Sequence, residues 1–145
     1  MYVDSQTQFS NAQAITASAE SENVMDLRPG AESRIGTGEN LYIHINVDVA
    51  FADAGSDSTV TVTLESDDAE AFPSATTRQT IGTFGALSAI GARLIAKIAP
   101  EILTEAFVRL QYTVANGNLS TGSVTAFVTT GIDAFTAYPS GFTIS

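Results

Sequence analysis

The chain has 145 residues, with six Lys+Arg against sixteen Asp+Glu for a formal net charge of -10. That length suits one domain with a core large enough to fold without a metal or a covalent staple, and the negative field repels phosphate, which argues against nucleic-acid binding. Cysteine is absent, which removes disulfides, thiolate zinc sites and cysteine nucleophiles, and 44% hydrophobic residues exclude a disordered chain.

Met1 to Gln6 carries neither a basic n-region nor an apolar h-region, so no secretory signal is expected there. No apolar run approaches the roughly 20 residues of a membrane-spanning helix, so no membrane partner is expected. The sequon at Asn118-Leu119-Ser120 then reads as chance or turn chemistry.

In chain order, Ala14–Ala19 and Asn23–Leu27 predict two short strands. From Leu41 to Phe51 the apolar residues Leu41, Ile43, Ile45, Val47, Val49 and Phe51 alternate with the rest, which predicts one long strand with one buried face. Asp53-Ala54-Gly55-Ser56-Asp57 supplies turn residues. Thr59–Glu65 alternates again, with Val60, Val62 and Leu64 inward, so the two runs read as a β-hairpin. Asp67 to Pro73 reads as a polar loop closed by proline, and Arg78–Phe84 as a short strand.

Between Leu87 and Ile98 two patterns compete. Leu87, Ile90, Leu94 and Ile98 have helical spacing, whereas Ala92, Leu94, Ala96 and Ile98 have strand spacing; Gly85, Gly91 and Pro100 crowd the run and favour a strand at Ala92–Ile98. Ala106–Val114 is another alternating strand. Asn116-Gly117-Asn118 signals a turn, and Val124 to Thr129 reads as the return strand. The tail Ala134–Ile144 is apolar enough to dock. The sum is an all-β, jelly-roll sandwich of about eight antiparallel strands in a single domain, with terminal arms at about 1–12 and about 130–145.

Residues able to carry chemistry are few. His44, the single histidine, falls on the outward face of its strand and reads as a surface or interface residue. Asp53 and Asp57, and the run Asp67, Asp68 and Glu70, lack the calcium-loop pattern and read as solvated turns, so neither a metal nor another cofactor is expected. No phosphate-binding or nucleophile-elbow motif is present, and the chain is expected not to be an enzyme. Arg93, Lys97 and Arg109 fall on polar strand faces and are candidate contacts for an acidic partner. Thr59, Thr61, Thr63, Thr113, Thr125 and Thr129 give charge-poor outward faces, which invite pairing unless covered and suggest oligomerisation.

Three ordered stretches resemble one family. They are Phe9-Ser10-Asn11-Ala12-Gln13-Ala14-Ile15-Thr16; Gly91 to Pro100 running on through Phe107 to Val114; and Gly122 to Val128 followed by Ala137-Tyr138-Pro139-Ser140-Gly141-Phe142. In order and spacing they are similar to the jelly-roll cement, or decoration, proteins of tailed-phage capsids. The resemblance implies a virion structural protein on the capsid exterior, soluble in the host cytoplasm before assembly, that bridges major capsid protein subunits. It also implies a small homo-oligomer, with a dimer favoured over a trimer, and it supports the strand reading of Ala92–Ile98. It moves the expected contacts to the terminal segments, at Phe9, Gln13, Tyr138, Pro139 and Phe142, beside the basic candidates. The alternative is a carbohydrate-binding or adhesin-type jelly roll, with Tyr42 or Phe127 stacking on sugar.

Overall fold

The computed structural model describes residues 7–28, 40–99 and 101–130. Among them the chain forms nine strands: β1 (Gln8–Ala14), β2 (Ala19–Glu20), β3 (Met25–Asp26), β4 (Tyr42–Ala52), β5 (Thr59–Asp67), β6 (Thr76–Gly85), β7 (Arg93–Lys97), β8 (Phe107–Ala115) and β9 (Thr121–Thr129). One sheet has the order β1-β9-β4-β7; the other has β2-β8-β5-β6, with β3 also paired to β8. Every pairing is antiparallel. β2 and β3 lie successively along β8 and act as one interrupted strand, joined to it between them by Ser21 N–H donating to the Leu110 carbonyl at 2.8 Å. Counted so, the two sheets are 1-8-3-6 and 2-7-4-5, the strand order of a jelly roll.

The expected inward faces form the observed core with one exception: Val49 is 50% exposed, because the register of β4 against β9 shifts between Val47 and Val49 and the alternation breaks there. Ile43, Ile45 and Val47 from β4 meet Val60, Val62 and Leu64 from β5, with Val108, Leu110 and Tyr112 from β8 and Val124, Ala126 and Val128 from β9. The strand at Ala92–Ile98 is present as β7.

Pairing departs from the expectation. β4 and β5 are not a hairpin, because they lie in different sheets; β8 and β9 likewise. β4 pairs β9 and β5 pairs β8, so the two connections run side by side from one sheet to the other. A loop rich in Asp and Gly satisfies a tight turn and an arch equally well, and periodicity of two does not name the partner strand. In the first arch the Asp53 carboxylate accepts from Ser58 Oγ at 2.7 Å and from the N–H groups of Asp57 and Ser58. These donors hold its carboxyl at about 2, led by the Ser58 hydroxyl. In the second, Asn116 and Gly117 both take positive φ, and Asn116 Nδ2 donates to the Asp57 carbonyl, which ties the arches together. The one paired connection between long consecutive strands is β5 to β6, with eight register pairs.

The expected strand at Ala14–Ala19 also shifts. The strand ends at Ala14, and residues 16–18 bend across to the opposite sheet. Ile15 stays in the core and donates its N–H to the Gly122 carbonyl. β6 is longer than expected, at ten residues.

Gly122 shows how tightly Phe51 of β4 lies against the neighbouring strand β9 of the same sheet. Its φ is +147°, and a Cβ there would overlap the Phe51 ring. Gly122→Ala is expected to cost about 3–5 kcal/mol through overpacking and backbone strain, read as a fall in the urea midpoint with unchanged m-value.

Candidate interaction surface

A sandwich made of two sheets leaves edge strands whose backbone groups need partners or cover. Here each long side is bridged by a glutamine. On the β6–β7 side, Gln79 Nε2 donates to the Lys97 carbonyl at 2.8 Å, and Gln79 Oε1 accepts from the Ala99 N–H at 3.1 Å. On the β1–β2 side, Gln13 Nε2 donates to the Glu20 carbonyl at 2.7 Å, and Gln13 Oε1 accepts from the Glu22 N–H at 3.2 Å. The primary amide reproduces the donor and acceptor of a peptide group, so each glutamine stands in for one residue of a missing strand.

Gln13 is held from the core. Ser10 Oγ donates to Gln13 Oε1 at 2.7 Å, which leaves the buried Tyr112 hydroxyl to donate to Ser10 Oγ, also at 2.7 Å. Burial pushes the Tyr112 pKa far up, so the phenol keeps its proton. Gln13, a candidate contact, therefore does its work within the fold.

The other candidates separate. Phe9 is 1% exposed and belongs to the core. An exposed contact through Phe9 is corrected by the start of β1 at Gln8, which places residues 8–12 of the expected arm inside the sheet. Arg109 is not on a shared face with Arg93 and Lys97, because β8 and β7 lie in opposite sheets. Its guanidinium binds Glu65 at 3.1 Å and Glu20 at 3.3 Å and lies 4.3 Å over the Phe72 ring. Arg78 is likewise paired with Glu105 at 2.8 Å and Arg28 with Asp26 at 2.7 Å. Tyr138, Pro139 and Phe142 lie outside the described residues.

Arg93 and Lys97 differ from these. Both are exposed on β7, and among the described residues neither forms an ion pair. Their pairing with Asn46 and Tyr42 brackets that of Ile95 with His44, so Arg93, Ile95 and Lys97 line one face of an edge strand. Ile95 is 39% exposed. The chain before β7 continues along β4: Gly91 N–H donates to the Val47 carbonyl, and Phe51 N–H to the Ser88 carbonyl. This extension carries Leu87 and Ile90, exposed by 69% and 72%. Both belonged to the helical spacing read from sequence, in which they would have been buried. The close bracket of Gly85 and Gly91, the latter at positive φ, is the signal for a loop at this point.

His44 corrects another expectation. It is on the outward side of β4 but only 8% exposed, with its ring edge-on to Phe127 at 4.9 Å. Phe127 is itself 4% exposed, which removes it as a sugar-stacking platform. Among the described residues, neither imidazole nitrogen has a hydrogen-bond partner. Burial, and secondarily the charge of Arg93, lowers the His44 pKa from 6.5. The acidic turns show no metal-binding arrangement: among the described residues no group of histidine and carboxylate side chains is placed to hold an ion. Nor does any described helix have the length and apolarity to cross a membrane.

The Bbp16 family matches residues 9–128, a span that runs from β1 into β9 and so takes in the whole sandwich. Together with the two-sheet fold, that defines an all-β sandwich of a phage protein family. The chain belongs to the Bbp16 family. No curated protein matches it.

Two predictions follow from the geometry. Gln13→Ala and Gln79→Ala each remove a bridge at an exposed edge, where water takes the place of the lost amide, and each is expected to cost about 0.5–1.5 kcal/mol, measured by denaturant unfolding. For His44, the unfolded chain takes up a proton more readily than the folded one. Its contribution to stability is complete above pH 6.5 and declines as pH falls from 6.5 toward the lowered folded value. His44→Phe is expected to flatten the unfolding free energy between pH 6.5 and about 5, where carboxylates do not yet titrate strongly.

Proposed function

We propose that this chain is a virion structural protein that cements a tailed-phage capsid: it binds the outer surface of the shell and bridges neighbouring major capsid protein subunits. The observation that carries this reading is membership of a phage protein family along the full length of the sandwich. The work is adhesion, not catalysis, and needs no cofactor. A rigid body with bridged edges suits it, because such a body does not polymerise through strand pairing while it waits for a shell. Repetition over a symmetric lattice turns modest individual contacts into durable attachment. The protein acts as a small homo-oligomer, a dimer in preference to a trimer, and it has no nucleic-acid or membrane partner. Before assembly it is a free protein of the host cytoplasm. A carbohydrate-binding role has less support, since burial of Phe127 leaves Tyr42 as the remaining candidate platform.

The test is addition of purified protein to undecorated shells of the phage that encodes it. Co-sedimentation, a higher shell melting temperature and reconstructed density outside the shell are the expected results. A protein that stays in the supernatant at saturating concentration would refute the reading.

A further inference from the structure

We propose that the edge of the sandwich from Leu87 to Lys97 is a docking stripe for an acidic surface of another protein, with Arg93 and Lys97 gripping carboxylates and Ile90, Leu87 and Ile95 seating apolar side chains between them. This deepens the reading above by naming the chemistry of the partner, and its shell experiment rests on that reading.

Charge carries the argument. The chain has few cations and many acids. Arg28, Arg78 and Arg109 are each neutralised by a carboxylate of the same fold. Among the described residues, the two cations of one short strand, Arg93 and Lys97, form no such pair. The carboxylates described around the opposite sheet, Glu20, Glu65, Asp67, Asp68 and Glu70, belong to β2, β5 and the β5–β6 turn. On the side of β7 lie Asp48, two residues along β4 from the Asn46 that pairs with Arg93, and Glu101, which lines a pocket with Lys97; among the described residues neither is ion-paired with the two cations, which leaves the β7 charges available to a partner. A partner approaching that stripe gains attraction only if it is itself acidic, and DNA is opposed by the net charge of the rest.

Rigidity and apolar content sharpen the case. β7 is fixed by its ladder to β4 on one side and at its end by Gln79. Alternate residues on a strand stand about 6.8 Å apart, so Arg93 and Lys97 are set about 13 Å from each other with Ile95 between them. Leu87 and Ile90 are the most exposed large apolar residues among those described. Their position at one end of the same edge makes the stripe part apolar and part basic, the mixture that specific interfaces use at core and rim.

The experiment has two arms. In the first, the isotope-labelled full chain is titrated with a short peptide of alternating Glu and Leu, and with its Lys/Leu counterpart. Amide shifts confined to residues 87–97, seen with the acidic peptide and suppressed in about 0.5 M salt, are expected. No shifts, shifts elsewhere, or equal response to the basic peptide would overturn the stripe, whatever its relation to a shell. In the second arm, shells are titrated with wild type, with Arg93→Glu/Lys97→Glu and with Leu87→Ser/Ile90→Ser, each first shown to keep its melting temperature. About tenfold weaker shell binding by the charge-reversed protein is expected. Undiminished binding by that variant overturns the stripe while leaving the cement reading intact. Failure of wild type to bind overturns the cement reading and leaves the peptide arm to decide the stripe. Self-association of the wild type that the charge reversal abolishes would assign the stripe to a second copy and also overturn the proposal.

Discussion

The backbone along the sides of the sandwich has to be satisfied without extra strands, and the rest of the molecule is arranged around that need. Two glutamines meet it. Each spans from one sheet to the other and offers both a donor and an acceptor to the chain opposite. Because an amide side chain bonds peptide groups in their own geometry, it bridges the two sheets at a solvent-accessible edge where no strand runs. The chain Tyr112–Ser10–Gln13 ties one bridge to the centre of the core. The other bridge, at Gln79, pins the end of β7 and with it the exposed cations.

Electrostatics is partitioned along the same lines. Three arginines are absorbed into ion pairs, and Arg109 is also stacked on Phe72. Arg93 and Lys97, on a strand at the edge of the other sheet, stay exposed. The same strand contributes to the lowered affinity of His44 for a proton, since Arg93 adds repulsion to the desolvation of the ring. An outward-facing sheet surface that buries both His44 and Phe127 is not a plain solvated face.

Much of the fold was legible from alternation. Ile43, Ile45 and Val47, or Val60, Val62 and Leu64, announce their buried face in any sequence, because the pleat repeats every second residue. Which strand lies beside which was not legible. Asp53–Asp57 and Asn116–Gly117 have the residues of tight turns, yet they arch between sheets, and the deciding contacts come from strands far away in sequence. β1 was hidden for a different reason. Its register slips twice and Ala12 takes φ of 49°, so neighbouring Phe9 and Ser10 are both buried and the period of two is lost. Of the candidate contacts, Arg93 and Lys97 could be read because exposure follows alternation on a regular strand. Arg109 could not, because its partners Glu65 and Glu20 reach it only through the pairing of β8 with β5 and β2.

The pairing of β1 with β9 has a consequence for how the protein comes into being. Among the described residues β1 has no strand neighbour but β9, and β9 also completes one flank of β4. While the chain is being synthesised, the first strand must therefore wait until the last described one has left the ribosome. The sheet of β2, β3, β8, β5 and β6 is complete once β8 is out, so it has the earlier opportunity to form, with β5 and β6 as its local hairpin. The insertion of β9 between β1 and β4 is a closure across most of the described chain, the class of contact that loop-closure entropy makes slow to form. A truncation that removes β9 leaves β1 without a strand partner among the described residues and the backbone edge of β4 open for other nascent copies to pair with.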